Sequence, residues 1–321
     1  IGVVEAAEDV LVRRDLDRSV DGPEALDRER GQRLGVLTHR KQWLDLARGA
    51  FQRLGQGCFG GLGEQFVFDL GHAFHLGLAQ DVGDALVRGG EAVRGLQARE
   101  GLEKITEFVR KKKLVDVPDD PVEIIVMPEH QRGFAIGYCD SPGPLEKNGT
   151  TFYAISPTPK DWTPERTETF YREYNNYMLE NLTIHEAMPG HYLQIAHANK
   201  FTGSTPLRAI FSSGTFVEGW ATYAEQLMVE AGYGGPELQM QQLKMRLRLI
   251  INSIIDQKIH TAGMTEGEAM EMMMVEGFQE EGEAAGKWTR ACLSSTQLST
   301  YYVGNLEING LRRAAEAKLG D

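Results

Sequence analysis

The sequence predicts a mainly α-helical protein with a small β-sheet. Three short apolar runs bounded by proline or glycine fall between residues 122 and 155, and stretches with apolar residues at helical spacing follow from Pro164 onwards. Hydrophobic residues make up 41% of the chain and charged residues 25%, which is ordinary for a globular protein. The net charge of −12 argues against a nucleic-acid partner.

The three apolar runs predict three strands, at Val122–Met127, Phe134–Tyr138 and Thr151–Ile155. Proline, glycine and asparagine at residues 142–144 and 148–149 form turns between the second and third runs. Because the runs are short and close in sequence, we expect them to pair into one small sheet.

Capping residues predict where several helices start. Thr163 followed by Pro164 is typical of a helix N-terminus, and Thr265 with Glu268 has the spacing of a capping box. A helix that carries the histidines discussed below is expected to start near Asn181.

Long amphipathic patterns predict two further helices, at Leu238–His260 and Val303–Lys318. Met270 and the run Met272–Met274 lie on a methionine-rich helix between them. Because methionine fills irregular gaps in hydrophobic cores, we expect core packing for this run rather than a metal or cofactor site.

Two histidines around a Pro-Gly pair form the most informative motif. His185 and His191 are six residues apart, whereas the zinc-protease motif His-Glu-x-x-His places its ligands four apart. On an unbroken helix the two rings would point roughly 240° apart. Pro189 and Gly190 can kink or rewind the helix and return His191 towards His185. A helix C-terminus with a Pro-Gly turn and a capping histidine is the alternative, and the spacing alone leaves both open.

A third candidate ligand comes from a second motif that begins at Glu218. Two imidazoles and one carboxylate make the His₂Glu set that leaves a zinc ion one open position for water. Glu186 follows His185 directly, so its side chain leaves a helix about 100° further round. It is therefore placed to accept a proton from that water rather than to bind the ion.

The motifs resemble a bacterial family known as domain of unknown function 885, which is grouped with the zincin metallopeptidases of gluzincin type. The resemblance is carried by His185-Glu-Ala-Met-Pro-Gly-His-Tyr-Leu-Gln194, by Glu218-Gly-Trp-Ala-Thr-Tyr-Ala-Glu225, by the segment Arg246–His260 and by Gln297-Leu-Ser-Thr-Tyr-Tyr-Val-Gly304. It covers the C-terminal part of the family, from about Leu102 to Leu319. It implies a zincin-like catalytic region, an α-helical bundle around a metal-binding helix.

The resemblance also implies the chemistry of the site: Zn²⁺ held by His185, His191 and Glu218, and Glu186 as the general base that passes a proton to the leaving amine. The chain departs from the family at Tyr192, where a second histidine often follows the motif histidine. This departure weakens any scheme that needs adjacent histidines.

Four further residues are candidates for supporting roles. Tyr301, in the C-terminal motif, is the first choice to donate a hydrogen bond to the oxyanion, with His260 as another catalytic candidate. Arg248 could bind the C-terminal carboxylate of a substrate, and Glu225 could accept a hydrogen bond from a ligand histidine. Each has an ordinary alternative: a core aromatic, a helix cap, a solvated surface residue and a surface carboxylate, respectively.

In zincins an edge strand beside the metal helix binds an extended peptide through backbone hydrogen bonds. Thr151–Ile155, the last predicted strand before the motif, is the candidate for this strand. A strand with no role in ligand binding is the alternative.

Residues 1–100 differ in composition from residues 101–321, which contain the zincin-like region. All 11 methionines and all 10 tyrosines lie beyond residue 100, and a dozen arginines before it accompany one lysine, Lys41. A genuine helical domain rich in arginine and glycine is one interpretation. An out-of-frame or foreign segment is the one we favour, because a lack of methionine, tyrosine and asparagine reflects codon bias rather than folding.

Neither the cysteines nor the hydropathy of the chain predicts a further structural feature. Cys58, Cys139 and Cys292 have no paired spacing and predict neither a disulfide framework nor a cysteine-based zinc site. No apolar run is long enough to predict a transmembrane segment. Localisation, oligomeric state and substrate length stay open.

These features predict a zinc-dependent metallopeptidase that acts on a peptide substrate. Two alternatives stay open: an inactive or non-catalytic fragment that retains a metal, and a zinc hydrolase of a non-peptide amide.

Overall fold

Helices and one three-stranded sheet make up the described part of the chain. The structure, a computed structural model, describes residues 90–132, 135–146, 149–158, 162–201 and 211–319. The prediction of a mainly helical fold with a small sheet is confirmed. The strands are β1 (Val122–Val126), β2 (Gly137–Asp140) and β3 (Thr151–Ile155). The helices are α1 (Gly90–Lys112), α2 (Pro164–Glu173), α3 (Asn176–Glu186), α4 (His191–Lys200), α5 (Gly214–Glu230), α6 (Pro236–Ala262), α7 (Glu266–Glu271), α8 (Glu281–Leu293) and α9 (Ser299–Leu319).

The sheet has the strand order β1-β3-β2, with β3 in the centre. β1 runs parallel to β3 and pairs Val122 with Thr151, whereas β2 runs antiparallel and pairs Gly137 with Ile155. The prediction that Thr151–Ile155 is an edge strand is therefore wrong, because both of its edges are already hydrogen-bonded. The strand predicted at residues 134–138 is found at 137–140, and Phe134 lies outside the described residues.

Local capping chemistry determines where the helices begin. Thr163 caps α2 with its side chain and Thr265 forms the predicted capping box with Glu268. The predicted start of the histidine helix at Asn181 is wrong by about one turn. The side chain of Asn175 accepts hydrogen bonds from the backbone amides of residues 177 and 178, so α3 begins at Asn176.

The main core lies between the sheet and the first helices. Tyr153 of β3, Ile184 of α3 and Leu193 of α4 are buried there with residues of α1 and α5. Within the methionine run, Met273 is fully buried whereas Met274 is 37% exposed. Core packing is therefore confirmed for Met273 and wrong for Met274, because successive side chains leave a helical turn in different directions.

The predicted boundary at residue 100 falls inside α1, which runs without a break from Gly90 to Lys112. The interpretation of residues 1–100 as an out-of-frame or foreign segment stays a prediction, because most of these residues lie outside the described part of the chain. None of the described helices is both long and apolar enough to cross a bilayer.

Two glycines allow α5 and α9 to pack with their backbones in contact. A Cβ atom added at Gly304 would lie 2.7 Å from the Cα atom and 2.9 Å from the nitrogen of Gly219, and closer still to the carbonyl oxygen of Thr215. Because backbone atoms cannot move aside as a flexible side chain can, any larger residue at either position forces the helices apart. Glu218 on α5 and Tyr301 on α9 owe their proximity to this contact.

We predict that Gly304→Ala lowers the free energy of unfolding by about 1–3 kcal/mol through overpacking. The matched control is Gly310→Ala on the same helix, where an added Cβ would come no closer than 4.0 Å to the end of the Arg313 side chain. That control should be neutral or stabilising by about 0.5–1 kcal/mol, because alanine favours helix. Urea unfolding of both variants measures the difference, and equal stability would contradict the predicted contact.

Candidate metal centre

The two motif histidines lie on separate helices joined by a tight turn. α3 ends at Glu186 and α4 begins at His191. The six-residue spacing therefore spans the end of one helix, a tight turn and the start of a second helix, and not a kink within one helix. Within the turn the amide of Ala187 bonds to the Thr183 carbonyl at 3.0 Å and the amide of Gly190 bonds to the Ile184 carbonyl at 3.0 Å. The Met188–Pro189 peptide bond is cis.

This turn requires glycine at position 190, because the backbone there lies against the end of α3. A Cβ atom at this position would collide with the carbonyl oxygens of Ile184 and His185. The chain therefore passes directly over the end of α3 and starts α4 beside it. As a result the rings of His185 and His191 lie with centroids 4.7 Å apart and their planes nearly perpendicular, at 88°.

α5 fixes the turn from the opposite side. The indole Nε1 of Trp220 donates a hydrogen bond to the carbonyl of Pro189 at 2.8 Å. The side chain of Gln194 donates to the carbonyl of Phe216 at 3.2 Å. These contacts hold the second motif against the first and bring Glu218, between Phe216 and Trp220, to the two histidines.

His185, His191 and Glu218 form one cluster, with a potential ligand atom of each lying within 4.8 Å of the others. The Oε2 atom of Glu218 is 3.6 Å from Nε2 of His185 and 3.4 Å from Nε2 of His191. The side chains are only 11%, 11% and 17% exposed, in the same order. Two imidazoles and a carboxylate thus face one another in a nearly buried space, as the sequence predicts.

Two atoms of this cluster are buried without a hydrogen-bond partner: Oε2 of Glu218 and Nδ1 of His191. An unpaired carboxylate oxygen in such a position is costly unless a cation neutralises it. Oε2 is also the atom that faces both histidine Nε2 atoms. The residues therefore fit a metal ion at this point, and the ion would satisfy the orphaned oxygen.

Glu225 orients His185. Its Oε1 atom lies 2.6 Å from Nδ1 of His185, and its Oε2 atom accepts a hydrogen bond from the Asn181 side chain at 2.8 Å. A neutral His185 that donates its Nδ1–H to this carboxylate would direct the lone pair of Nε2 at the cluster, as a metal ligand requires. Glu225 is 1% exposed, so it is a buried acceptor and not the alternative surface carboxylate.

The charges of the cluster act strongly on one another. Burial lowers the pKa of His185, but Glu218 and Glu225 outweigh it and hold that pKa well above its usual value. Burial raises the pKa of Glu218, and the two imidazoles hold it well below its usual range. The site thus favours an ionised Glu218 and a positive charge beside it.

Glu186 is the last residue of α3 and is 7% exposed. Among the described residues its carboxylate makes no hydrogen bond, and its oxygens are absent from the fully buried atoms without a partner. Burial and, more weakly, the charge of Glu186 raise the pKa of Cys139 on β2 to about 12. The carboxylate is therefore close enough to β2 to act on Cys139, and its oxygens are not fully buried.

Tyr301 lies over the cluster from α9. Its ring stacks on His185, with centroids 6.4 Å apart and an interplanar angle of 26°. Its hydroxyl oxygen accepts hydrogen bonds from Arg290 at 3.1 Å and from Gln297 at 3.2 Å, so its own proton is free to be donated. Burial and the charge of Glu218 raise the pKa of Tyr301 to about 12, which keeps the hydroxyl protonated at neutral pH.

The contacts of His260 lie elsewhere. Its Nε2 atom is 2.9 Å from the carbonyl oxygens of both Ala291 and Ser294, at the end of α8. This ties α6 to α8, and the structure does not bring the ring into the cluster.

Arg248 is buried rather than solvated, and the expectation of a guanidinium free to bind substrate is wrong. It forms an ion pair with Glu173, bonds to the hydroxyl of Tyr174 at 3.2 Å and lies 3.7 Å from Glu283. A buried charge needs such partners, and the partners come from α2 and α8, which sequence spacing does not connect.

Sequence reasoning missed three residues that support the site: Asn181, Trp220 and Arg290. Asn181 precedes His185 by one helical turn, so its position on the same face was a usable signal. Trp220 lies within a quoted motif but its contact with Pro189 depends on the tertiary fold. No sequence pattern distinguishes Arg290 from the other arginines of the chain.

Fold and site together define a mainly helical protein with a His₂Glu cluster at the junction of α3, α4 and α5. Residues 93–321 match the family described as "Bacterial protein of unknown function (DUF885)", so the chain belongs to this family. Comparison with curated proteins gives no match.

Two solved structures have the same fold. The first, a "putative lipoprotein of unknown function" from Shewanella oneidensis, is 32% identical with a TM-score of 0.66, and the match covers 88% of this chain and 49% of that one. The second, a "putative lipoprotein" from Colwellia psychrerythraea, is 24% identical with a TM-score of 0.62, over 88% and 47% of the two chains. The chain thus spans about half the length of each.

We predict that Glu225→Gln weakens metal binding at this cluster by about 10–100-fold, the usual effect of losing the outer hydrogen-bond partner of a metal-binding histidine. A glutamine offers one oxygen where Glu225 supplies two, so it cannot accept from both His185 and Asn181. Competition titration with a chelator measures the change. The control is Glu230→Gln at the end of the same helix, where the partner is Arg312, and equal affinity in both variants would contradict the role of Glu225.

Proposed function

We propose that this chain is a zinc-dependent metallopeptidase with a zincin-like catalytic region. The observation that carries the proposal is the cluster of His185, His191 and Glu218, whose potential ligand atoms lie within 4.8 Å of one another. One of these atoms, Oε2 of Glu218, is buried without a hydrogen-bond partner. A zinc ion bound there would lower the pKa of its coordinated water towards about 7 and polarise the scissile carbonyl.

The ligand set supports zinc and a catalytic rather than a structural site. Two imidazoles and a carboxylate suit zinc better than the oxygen-rich sites that calcium and magnesium prefer. Structural zinc sites use four protein ligands, whereas three leave a position for water or substrate. Among the described residues only these three form such a group.

Glu186 is the proposed general base. It follows His185 directly at the end of α3, and its carboxylate makes no hydrogen bond among the described residues. A carboxylate in this position can take a proton from the attacking water and return it to the leaving nitrogen. The backbone of β2, an outer strand of the three-stranded sheet that contacts α3, is the proposed surface for an extended substrate.

Tyr301 is the proposed hydrogen-bond donor to the oxyanion. Arg290 and Gln297 both donate to its oxygen, which orients the hydroxyl and leaves its proton for the substrate. Stacking on His185 holds the ring over the cluster. A fixed donor in a nearly buried site stabilises developing charge without reorganisation.

Two alternative functions can be distinguished from the proposed peptidase activity by experiment. The same residues would hydrolyse a non-peptide amide, and a chain about half as long as the solved structures that it matches could bind the metal without turnover. Zinc binding without peptide cleavage would favour one of these.

Metal analysis tests the ligand set. We expect about one zinc per chain in the purified protein and its loss in His185→Ala and in His191→Ala, since each removes one of three ligands. His197→Ala is the control: this histidine lies on the exposed face of α4 and bonds to the Asp116 carbonyl. Unchanged zinc content in His191→Ala would contradict the assignment.

Glu186→Gln separates the base from the ligands. We expect this variant to retain zinc and its thermal stability while peptide hydrolysis falls by about 100-fold or more, because an amide cannot accept the proton. Turnover and metal content are measured on the same preparation. Loss of zinc in Glu186→Gln would place this residue among the ligands and overturn the mechanism.

A further inference from the structure

We infer that Asp256, a buried residue of α6, is a positioning residue that holds the oxyanion donor Tyr301 in place. The inference rests on the proposed peptidase function and adds to it a residue that acts on the transition state through another. Asp256 binds the first turn of α9, which carries Tyr301. It gives a role to the end of the segment Arg246–His260, which contributes no residue to the metal cluster.

Both carboxylate oxygens of Asp256 accept hydrogen bonds from the start of α9. Oδ1 accepts from the backbone amide of Thr296 at 2.9 Å, and Oδ2 accepts from the amide and the hydroxyl of Ser299 at 3.0 and 2.8 Å. Asp256 is 2% exposed, so these three donors replace the water that a carboxylate would otherwise bind. Amides at a helix N-terminus have no partner within the helix, and a carboxylate is favourable there. Asp256 therefore fixes where α9 begins.

Tyr301 lies two residues after Ser299, in the same helical turn. Gln297, between the two amides that the carboxylate binds, donates from its side chain to the Tyr301 hydroxyl oxygen at 3.2 Å. The carbonyl of Gln297 accepts from the amide and the hydroxyl of Thr300 at 3.2 and 2.6 Å. Residues 296–301 are thus one hydrogen-bonded unit, and a shift of its backbone moves the Tyr301 hydroxyl.

A second residue of α6 holds the other end of the same loop. His260 lies one turn after Asp256, and its Nε2 atom is 2.9 Å from each of two carbonyl oxygens at the end of α8. Arg290, the other donor to the Tyr301 hydroxyl, lies in the last turn of α8. Tyr301 and both of its donors therefore lie on segments that α6 holds at two points.

The loop between these two points has a backbone conformation that its sequence disfavours. Thr296 has a φ of 66°, in the left-handed region that β-branched residues rarely adopt. Such a backbone persists only where the surrounding contacts hold it. The hydrogen bond from the Thr296 amide to Asp256 is one of these contacts. When the carboxylate is removed, the loop can relax, and the start of α9 moves with it.

The metal ligands depend on other contacts. His185, His191 and Glu218 lie on α3, α4 and α5, and α9 meets α5 through Gly304, about one turn beyond Tyr301. A shift confined to the first turn of α9 therefore leaves the ligands in place and displaces the hydroxyl. Because an oxyanion donor must lie about 2.7–3.1 Å from the oxyanion, such a displacement weakens the transition state more than substrate binding.

Asp256→Asn tests this role in the zinc-loaded full chain. The amide replaces one acceptor oxygen by an NH₂ donor, so one of the two oxygens that hold α9 is lost. We expect kcat to fall by about 10–100-fold with KM and zinc content unchanged, because the lost interaction belongs to the transition state. The probe is the best-cleaved member of a set of internally quenched octapeptides. Glu307→Gln, which removes an exposed carboxylate from α9, is the control and should behave as wild type.

A double-mutant cycle with Tyr301→Phe separates positioning from general destabilisation. Tyr301→Phe alone should lower kcat by about 100–1,000-fold, the loss typical of an oxyanion donor. If Asp256 acts through Tyr301, Asp256→Asn should lower kcat by less than about twofold more in the Tyr301→Phe protein. Equal effects of Asp256→Asn in both proteins would overturn the inference, as would a Tyr301→Phe protein that is as active as wild type.

Ser299→Ala provides the test if Asp256→Asn does not fold. It removes the hydroxyl donor to Asp256 and leaves the two amide donors. We expect kcat to fall by a smaller factor than in Asp256→Asn, again with KM and zinc content unchanged. An unchanged kcat in Ser299→Ala would overturn the inference.

A spectroscopic measurement decides the inference without turnover. Fluorotyrosine introduced in place of Tyr301 gives a fluorine NMR signal that reports the surroundings of this ring. The signal should move in Asp256→Asn and in Ser299→Ala but not in Glu307→Gln, and an unmoved signal in the first two variants overturns the inference. If wild type cleaves none of the peptides, the proposed peptidase function fails separately, and the fluorine comparison still decides whether Asp256 positions Tyr301.

Discussion

The pairing of α5 with the end of α3 is the constraint on which the site depends. Glu218 and Glu225 are seven residues apart on α5, so they lie within about 20° of the same helix face. One carboxylate holds Nδ1 of His185 while the other faces its Nε2. Once this helix face meets α3, the orientation of His185, the position of Glu218 and the placement of Trp220 against the turn are all fixed.

The turn between His185 and His191 determines the geometry of the candidate metal site. A His-Glu-x-x-His site uses adjacent turns of one helix, which gives both ligands a common axis. Here the second histidine starts a new helix, so its ring approaches from another direction, nearly perpendicular to the first. The close passage at Gly190 and the Trp220 contact replace helix continuity as the source of rigidity.

The sequence predicted features that depend on neighbouring residues and missed those that depend on distant ones. The caps at Thr163 and Thr265 follow from side chains within three residues of the amides they bind. The central position of β3 does not, because its pairing with β1 joins segments almost thirty residues apart. The motif residues His185, His191 and Glu218 were found because their chemical types are rare together, although their convergence needed the tertiary fold.

The two arginines Arg248 and Arg290 show why residue type alone does not identify a ligand site. Both are partly or fully buried, and only Arg248 was predicted from the sequence to bind a carboxylate. Arg248 is neutralised by Glu173 and Glu283, so an incoming anion would have to displace an existing partner. Arg290 donates hydrogen bonds from Nη2 to Gln297 and Tyr301, and although burial lowers its pKa, its contact with Tyr301 and the charges of Glu218 and Glu283 raise it. The useful distinction is whether the charge is already compensated within the fold, and that balance is visible only when the partners contributed by other helices are known.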